Sequence, residues 1–298
     1  MSRSVRHNRR RVNEAAQGIA FITPTTLVLF ALVLYPFLYG IYVSFFKTNL
    51  INKWTFVGLS NYKQMLSGSD FWKTLLLTLV FTVGVVVGHF ALGFLFANIL
   101  NKKFRGRTLF RVLLLLPWLL PEVVAANVFK WILHPTNGVL NYWMVKLHLL
   151  SKPISWLGNP KTAMAVVIFI CIWKGFPLVM LQILAGLQTI PAELQEAARV
   201  DGANDRQVFW KITLPALKPT LIVALVLDTI WWFKHVTIIW LLTQGGPGTS
   251  TTTIAVDIYK QAFQYFHFGP ASALAVIVFA ICLVINYVYK KALNNEED

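Results

Sequence analysis

Asp228, Trp231, Trp232 and His235 follow the spacing i, i+3, i+4, i+7, which places all four on one face of an α-helix. Tryptophan supplies a flat apolar surface on which a polyhydroxylated ring can lie. The carboxyl and imidazole groups can hydrogen-bond hydroxyls or carry charge. Cys171, Lys174, Gly175 and Leu178 repeat the spacing elsewhere, beside Pro177, where a kink is expected. Both quartets lie in otherwise apolar stretches. A charged side chain at the centre of such a stretch costs about 2.5–3.5 kcal/mol on insertion scales, so each needs a compensating role. One such role is to line a passage for solute. The other is packing, with Lys174 and Asp228 neutralising each other between helices. No paired histidines, serine–lysine arrangement or metal-ligand cluster occurs at useful spacing, so no catalytic residue, metal site or cofactor is expected.

The remaining intramembrane charges carry less information. Glu122 follows Pro121 and can either meet backbone freed by a kink or pair with a lysine. Lys130 is expected to snorkel toward an interface, and Lys234, off the Asp228 face, to snorkel or form an ion pair. His89 is alone on an apolar helix and is expected to be a packing residue.

Residues 193–215, ELQEAARVDGANDRQVFWKITLP, form a polar stretch between two apolar segments. Pro191 suits the first turn of a helix, Ala192 to Val200 are good helix formers, and Gly202 can take the left-handed conformation that stops it. A second short helix is expected from about Asp205 to Ile212, leading to Pro215. Ala197 and Ala198 are small enough for another protein surface to approach closely. Glu196, Arg199 and Asp201 give the surface directional charge.

Composition dictates the elements that hold these residues. The chain has 298 residues, 56% hydrophobic and 13% charged, with a mean hydropathy of +0.60; a soluble domain carries about 25% charged residues. The apolar excess calls for a bilayer. About 20 apolar residues suffice to cross one, and such segments occur at about 19–46, 73–100, 110–133, 162–186, 217–243 and 269–289. The short alternating segments of a β-barrel are absent. An all-α, six-span membrane protein is therefore expected, with one transmembrane domain over 19–298 behind a basic tail at 1–18. That tail imitates the start of a signal peptide, but the apolar segment after it is too long and lacks a small-residue cleavage site. Cys171 and Cys282 fall within spans, so no disulfide is expected. The net charge of +15 is scattered among short loops without an aromatic-interleaved patch, which argues against nucleic acid as a partner. With both termini inside, the internal segments carry 16 lysines and arginines against 8 outside. That orientation puts the loop at 187–213 in the cytosol and leaves external connections at about 47–71, 134–160 and 244–268, too short to be independent domains.

Glu196-Ala197-Ala198, three residues, Gly202, nine residues, then Ile212-Thr213-Leu214-Pro215 fit the pattern EAA-x3-G-x9-I-x-L-P without a gap. This resembles the cytoplasmic signature loop of permease subunits in binding-protein-dependent ABC importers. FVGLSNY (Phe56 to Tyr62), FRVLLLLPWLLPEVVAANVFKWIL (Phe110 to Leu133) and LLTQGGPGTSTTT (Leu241 to Thr253) resemble the carbohydrate-uptake branch, which includes the maltose and glycerol-3-phosphate permeases. The similarity covers nearly the whole chain. It implies the type I ABC importer permease fold in a bacterial or archaeal plasma membrane. It also implies a second homologous permease subunit, two cytosolic ATPase subunits and an extracytoplasmic solute-binding protein. Glu196, Ala197, Ala198, Arg199, Asp201 and Gly202 would form the coupling element, with Glu196 the main polar contact to an ATPase. The chain lacks G-x-x-x-x-G-K-[ST], so ATP hydrolysis would belong to its partners. Aligned on W-x-G-F-P (Trp173 to Pro177) and LLTxGGP, both quartets fall where the maltose permease subunit contacts sugar. Asp228, Lys174 and His235 depart from that pattern, standing where the family has uncharged polar residues.

The resemblance implies a sugar or oligosaccharide as solute. Lys174 favours an acidic sugar or a glycerol-3-phosphate-like solute, and Asp228 argues the other way. An ion-coupled secondary transporter would also explain six spans and membrane charges, but would leave the loop signature without a purpose. An intramembrane enzyme fits least, lacking a catalytic constellation.

Overall fold

The computed structural model describes residues 20–294; the basic tail expected at 1–18 lies outside the described residues. Helix α1 (Ala20–Val43) leads through an antiparallel hairpin, β1 (Phe46–Thr48) and β2 (Trp54–Phe56), to α2 (Ser60–Ser67) and the long α3 (Ser69–Asn101). Next come α4 (Arg107–Leu119), α5 (Glu122–Ile132), α6 (Val139–Lys146) and α7 (Pro160–Gln188). The loop helix α8 (Ala192–Val200) precedes α9 (Asp205–Phe233), α10 (Thr237–Thr243), α11 (Ile254–Tyr259) and α12 (Phe268–Asn294). Among the described residues, five helices are long and apolar enough to cross a membrane, and α4 with α5 makes a sixth span if counted as one.

The segments expected at 110–133 and 217–243 are not single straight helices. α4 and α5 meet at an angle of 92°. Pro121 has no N–H to donate, and Leu120 before it is extended (ψ 138°), as the residue preceding a proline prefers. In the fifth segment α9 stops at Phe233, and α10 restarts at Thr237 after Lys234–Val236 leave helical geometry. α7, by contrast, continues through Pro177.

α3 and α7 pack together along much of their length and form the centre of the bundle. Gly84 and Gly88, one turn apart, let α3 approach α7 closely: a side chain at either position would press into Ile168 or Ile172. Two apolar clusters follow this seam. One gathers Phe81, Val85, Ile170, Cys171, Trp232 and Ile238; the other gathers Leu100, Phe176, Met180, Ile183 and Leu217. α1 contributes little to either, and Leu27, Leu32 and Val33 stay exposed, as side chains facing acyl chains can without penalty. Side chains also tie the short connections down. Asn61 Nδ2 donates to the carbonyls of Ser44 and Phe46, and Thr78 Oγ1 accepts the Ile254 N–H at 2.9 Å, joining α11 to α3.

Candidate functional site

A cavity of about 420 Å³ opens between α4–α5, α7 and α9. Its wall is formed by Trp118, Glu122, Lys174, Gly175, Leu178, Gln182, Leu227, Asp228, Trp231 and Trp232. The size is within the range of small-molecule sites, and a mostly apolar lining with a few convergent polar groups is their usual chemistry. Trp231 is 59% exposed and lines the cavity, whereas Trp232 is 4% exposed and wedged among Phe81, His89 and His235.

The structure brings together Lys174, Gly175, Leu178, Asp228, Trp231 and Trp232 from the two expected quartets and separates two others. Cys171 is fully buried, its side chain in the core behind the wall. His235 lies beyond the end of α9, so it does not continue the Asp228 face. Its Nε2 accepts the Ile238 N–H at 3.4 Å at the start of α10, with Glu122 Oε2 3.9 Å away. Trp118, Gln182 and Leu227 complete the wall. Gln182 is four residues beyond Leu178 and Leu227 four before Trp231, so extending each face by one turn would have found them.

The charged residues have partners other than those expected. Lys174 Nζ donates to the carbonyl of Trp118 at 2.9 Å instead of pairing with Asp228. That carbonyl is in the last turn of α4, where the bend removes its helical partner. Asp228 faces His89, whose Nδ1 is 2.9 Å from Oδ2 and 3.2 Å from Oδ1. His89 is therefore not a lone packing residue. Among the described residues no lysine lies within ion-pair distance of Glu122, which shares the cavity wall with Lys174.

The second candidate region is the 189–213 loop. Pro191 caps α8 from outside rather than occupying its first turn, and Gly202 adopts φ +88° after it. Asn204 and Gln207 form a reciprocal capping box: each side-chain oxygen accepts the other's backbone N–H at 2.9 Å. A wider turn at Phe209–Thr213 interrupts the regular geometry of α9 one turn after its start. Arg199 is held across the glycine by Asp205, with Nη2 at 3.3 Å. Glu196, Ala197 and Asp201 stay exposed and Ala198 half-buried, so α8 leaves most of its surface without a partner. Beside it is a hollow of about 400 Å³ bordered by Ala198, Asp201, Gly202 and Lys211.

The family described as "Binding-protein-dependent transport system inner membrane component" matches residues 89–292, a stretch that includes the loop and every residue of the cavity wall. The chain belongs to that family. This permease is 36% identical over 282 residues to the sulfoquinovosyl glycerol transport system permease protein SmoG of Agrobacterium fabrum, covering 94% of this chain and 91% of that one. It is also 36% identical over 285 residues to the trehalose/maltose transport system permease protein MalF of Thermococcus litoralis, covering 94% and 95%. In fold, the permease matches a chain of a bacterial ABC transporter involved in the import of the acidic polysaccharide alginate. The TM-score is 0.81 at 23% identity, over 96% of this chain and 99% of that one. The permease thus has the type I ABC importer permease fold. It is a multi-pass inner-membrane transport subunit, and in such systems ATP hydrolysis belongs to separate subunits.

Proposed function

We propose that this permease forms, with a second homologous subunit, the membrane pathway for a sugar or oligosaccharide delivered by an extracytoplasmic binding protein. The observation that carries the reading is the cavity between α4–α5, α7 and α9, where Trp118 and Trp231 flank Lys174, Gln182, Glu122 and Asp228. Indole faces suit the apolar faces of sugar rings, and the polar groups suit hydroxyls. The transport proteins for trehalose/maltose and for sulfoquinovosyl glycerol, each related over 94% of this chain, support a glycosidic solute.

Within that class we favour a neutral solute. The Lys174 ammonium already donates to Trp118, and two carboxyls, Glu122 and Asp228, share the wall with it. Glu122 offsets the Lys174 charge at the same wall, and Asp228 is engaged by His89, so the site offers no surplus positive charge to an anionic solute. α8 and the hollow beside Gly202 would seat a cytosolic ATPase, with Glu196 as the polar anchor and both termini cytosolic. Exposure of Glu196 and Ala197 on an unpartnered helix supports this role.

The test is uptake by the complete importer in membrane vesicles, with labelled maltose competed by unlabelled neutral and acidic disaccharides. Competition by the neutral sugars is expected. Competition confined to acidic sugars would overturn the neutral assignment, and uptake that persists without ATP would overturn the importer mechanism.

A further inference from the structure

We propose that His89 is a positioning residue for solute recognition, clasping Asp228 so that its carboxyl presents a fixed edge to the cavity. The role rests on the reading of the cavity as the solute site. His89 itself is outside the wall: it sits on α3 and is fully buried, whereas Asp228, on α9, is part of the lining.

Three helices build the clasp. Nε2 of His89 is 3.1 Å from the carbonyl oxygen of Cys171 on α7. A carbonyl can only accept, so Nε2 carries a hydrogen and Nδ1 is left to face Asp228. Nδ1 lies 2.9 Å from Oδ2 and 3.2 Å from Oδ1, and the imidazole and the carboxyl hold one proton between them. Whichever of the two carries it, the hydrogen bond fixes the plane of the carboxyl. Trp232 packs against the ring at 5.2 Å between centroids. The opposite space is kept by Gly175, where a β-carbon would collide with His89 Cε1 and Nε2 and with Trp232. Gly175 thus has a second part besides lining the cavity: it makes room for the imidazole.

A residue needed only to fill space would not bring an acceptor to each ring nitrogen in a fully buried site. An aspartate at the cavity wall without such a partner would sample several rotamers and lose that freedom on binding. Fixing the carboxyl in advance removes this cost from solute binding.

Asparagine and glutamine divide the two bonds, because their amide nitrogens reach the places of Nδ1 and Nε2 respectively. His89→Asn retains the contact to Asp228 and loses that to Cys171; His89→Gln does the reverse. With maltose as probe in vesicles carrying the complete importer, His89→Gln is expected to raise the transport KM about tenfold with little change in maximal rate, equivalent to about 1.4 kcal/mol. His89→Asn is expected to recover most of that affinity. Equal KM values for the two variants, or a loss of maximal rate alone, would overturn the positioning role.

Thermal unfolding of the purified permease provides a solute-independent arm. In a cycle of His89→Gln and Asp228→Leu, whose side chain can make no hydrogen bond to the imidazole, the double variant is expected to lose less than the sum of the single variants. Additive losses would overturn the clasp. If wild-type vesicles take up neither maltose nor trehalose, those two sugars are excluded as solutes, and the unfolding cycle still decides for or against the clasp.

Discussion

Lys174 Nζ donates a 2.9 Å hydrogen bond to the carbonyl oxygen of Trp118, fifty-six residues earlier in the chain, at the end of α4. The 92° turn into α5 deprives that carbonyl of the helical N–H that would otherwise satisfy it, and the ammonium takes that place. One ammonium thereby secures the bend that opens the cavity while also lining it. The charge in α7 is explained locally without a carboxylate partner.

Replacing Lys174 with methionine keeps chain length and removes the donor. Thermal unfolding of the purified permease in detergent is expected to show a loss of about 1–3 kcal/mol, the cost of an unsatisfied buried polar group. An unchanged melting temperature would mean that the bond does not hold the bend.

Gly175→Ala would press a methyl group into the imidazole of His89 and the indole of Trp232. A loss of about 1–3 kcal/mol is expected from overpacking. Gly202→Ala meets open space, and its cost comes from the left-handed backbone, φ +88°, at about 1–2 kcal/mol confined to the loop. Circular dichroism melts should therefore separate the two: global unfolding shifts for Gly175→Ala and little for Gly202→Ala.

The adjacent tryptophans should behave differently. Trp232→Ala empties a core position and is expected to cost about 3–5 kcal/mol in unfolding measurements. Trp231→Ala, at the exposed cavity face, is expected to leave stability nearly intact and raise the transport KM for sugar several-fold. Equal destabilisation by both would contradict the burial difference.

Glu196→Ala and Gly202→Asp are expected to uncouple ATP hydrolysis from transport while the assembled complex stays in the membrane. Comparing ATPase activity and uptake in the same proteoliposomes checks this. Wild-type uptake in both variants would remove the coupling role from the loop.

Asp257, in α11 between the spans, should make stability fall as pH rises. Burial pushes its carboxyl above the ordinary value of 3.8, against the opposing effects of the Gln261 hydrogen bond and the Lys260 charge. The folded state therefore holds the proton more tightly than the unfolded chain. The resulting stabilisation is complete below 3.8 and is lost as pH climbs through the raised value. Asp257→Asn should flatten that part of the stability–pH curve, as followed by unfolding at a series of pH values.

Much was legible in the sequence because a bilayer has a fixed thickness and a helix a fixed rise. Runs such as 73–100 and 162–186 therefore mark helices whatever they pack against, and they correspond to α3 and α7. The helix, glycine stop and helix of the 192–212 loop were equally readable, because propensity, left-handed glycine geometry and a capping box act within a few residues. Helical spacing also located most of the cavity wall. Periodicity could not tell that Cys171 turns into the core or that the Asp228 face ends before His235, since both depend on where neighbouring helices press and where a helix breaks. Nor could it pair His89 with Asp228, 139 residues apart, or Lys174 with the Trp118 carbonyl. A buried polar group must find a partner, but which one it finds depends on how the helices pack, and that only the tertiary structure decided.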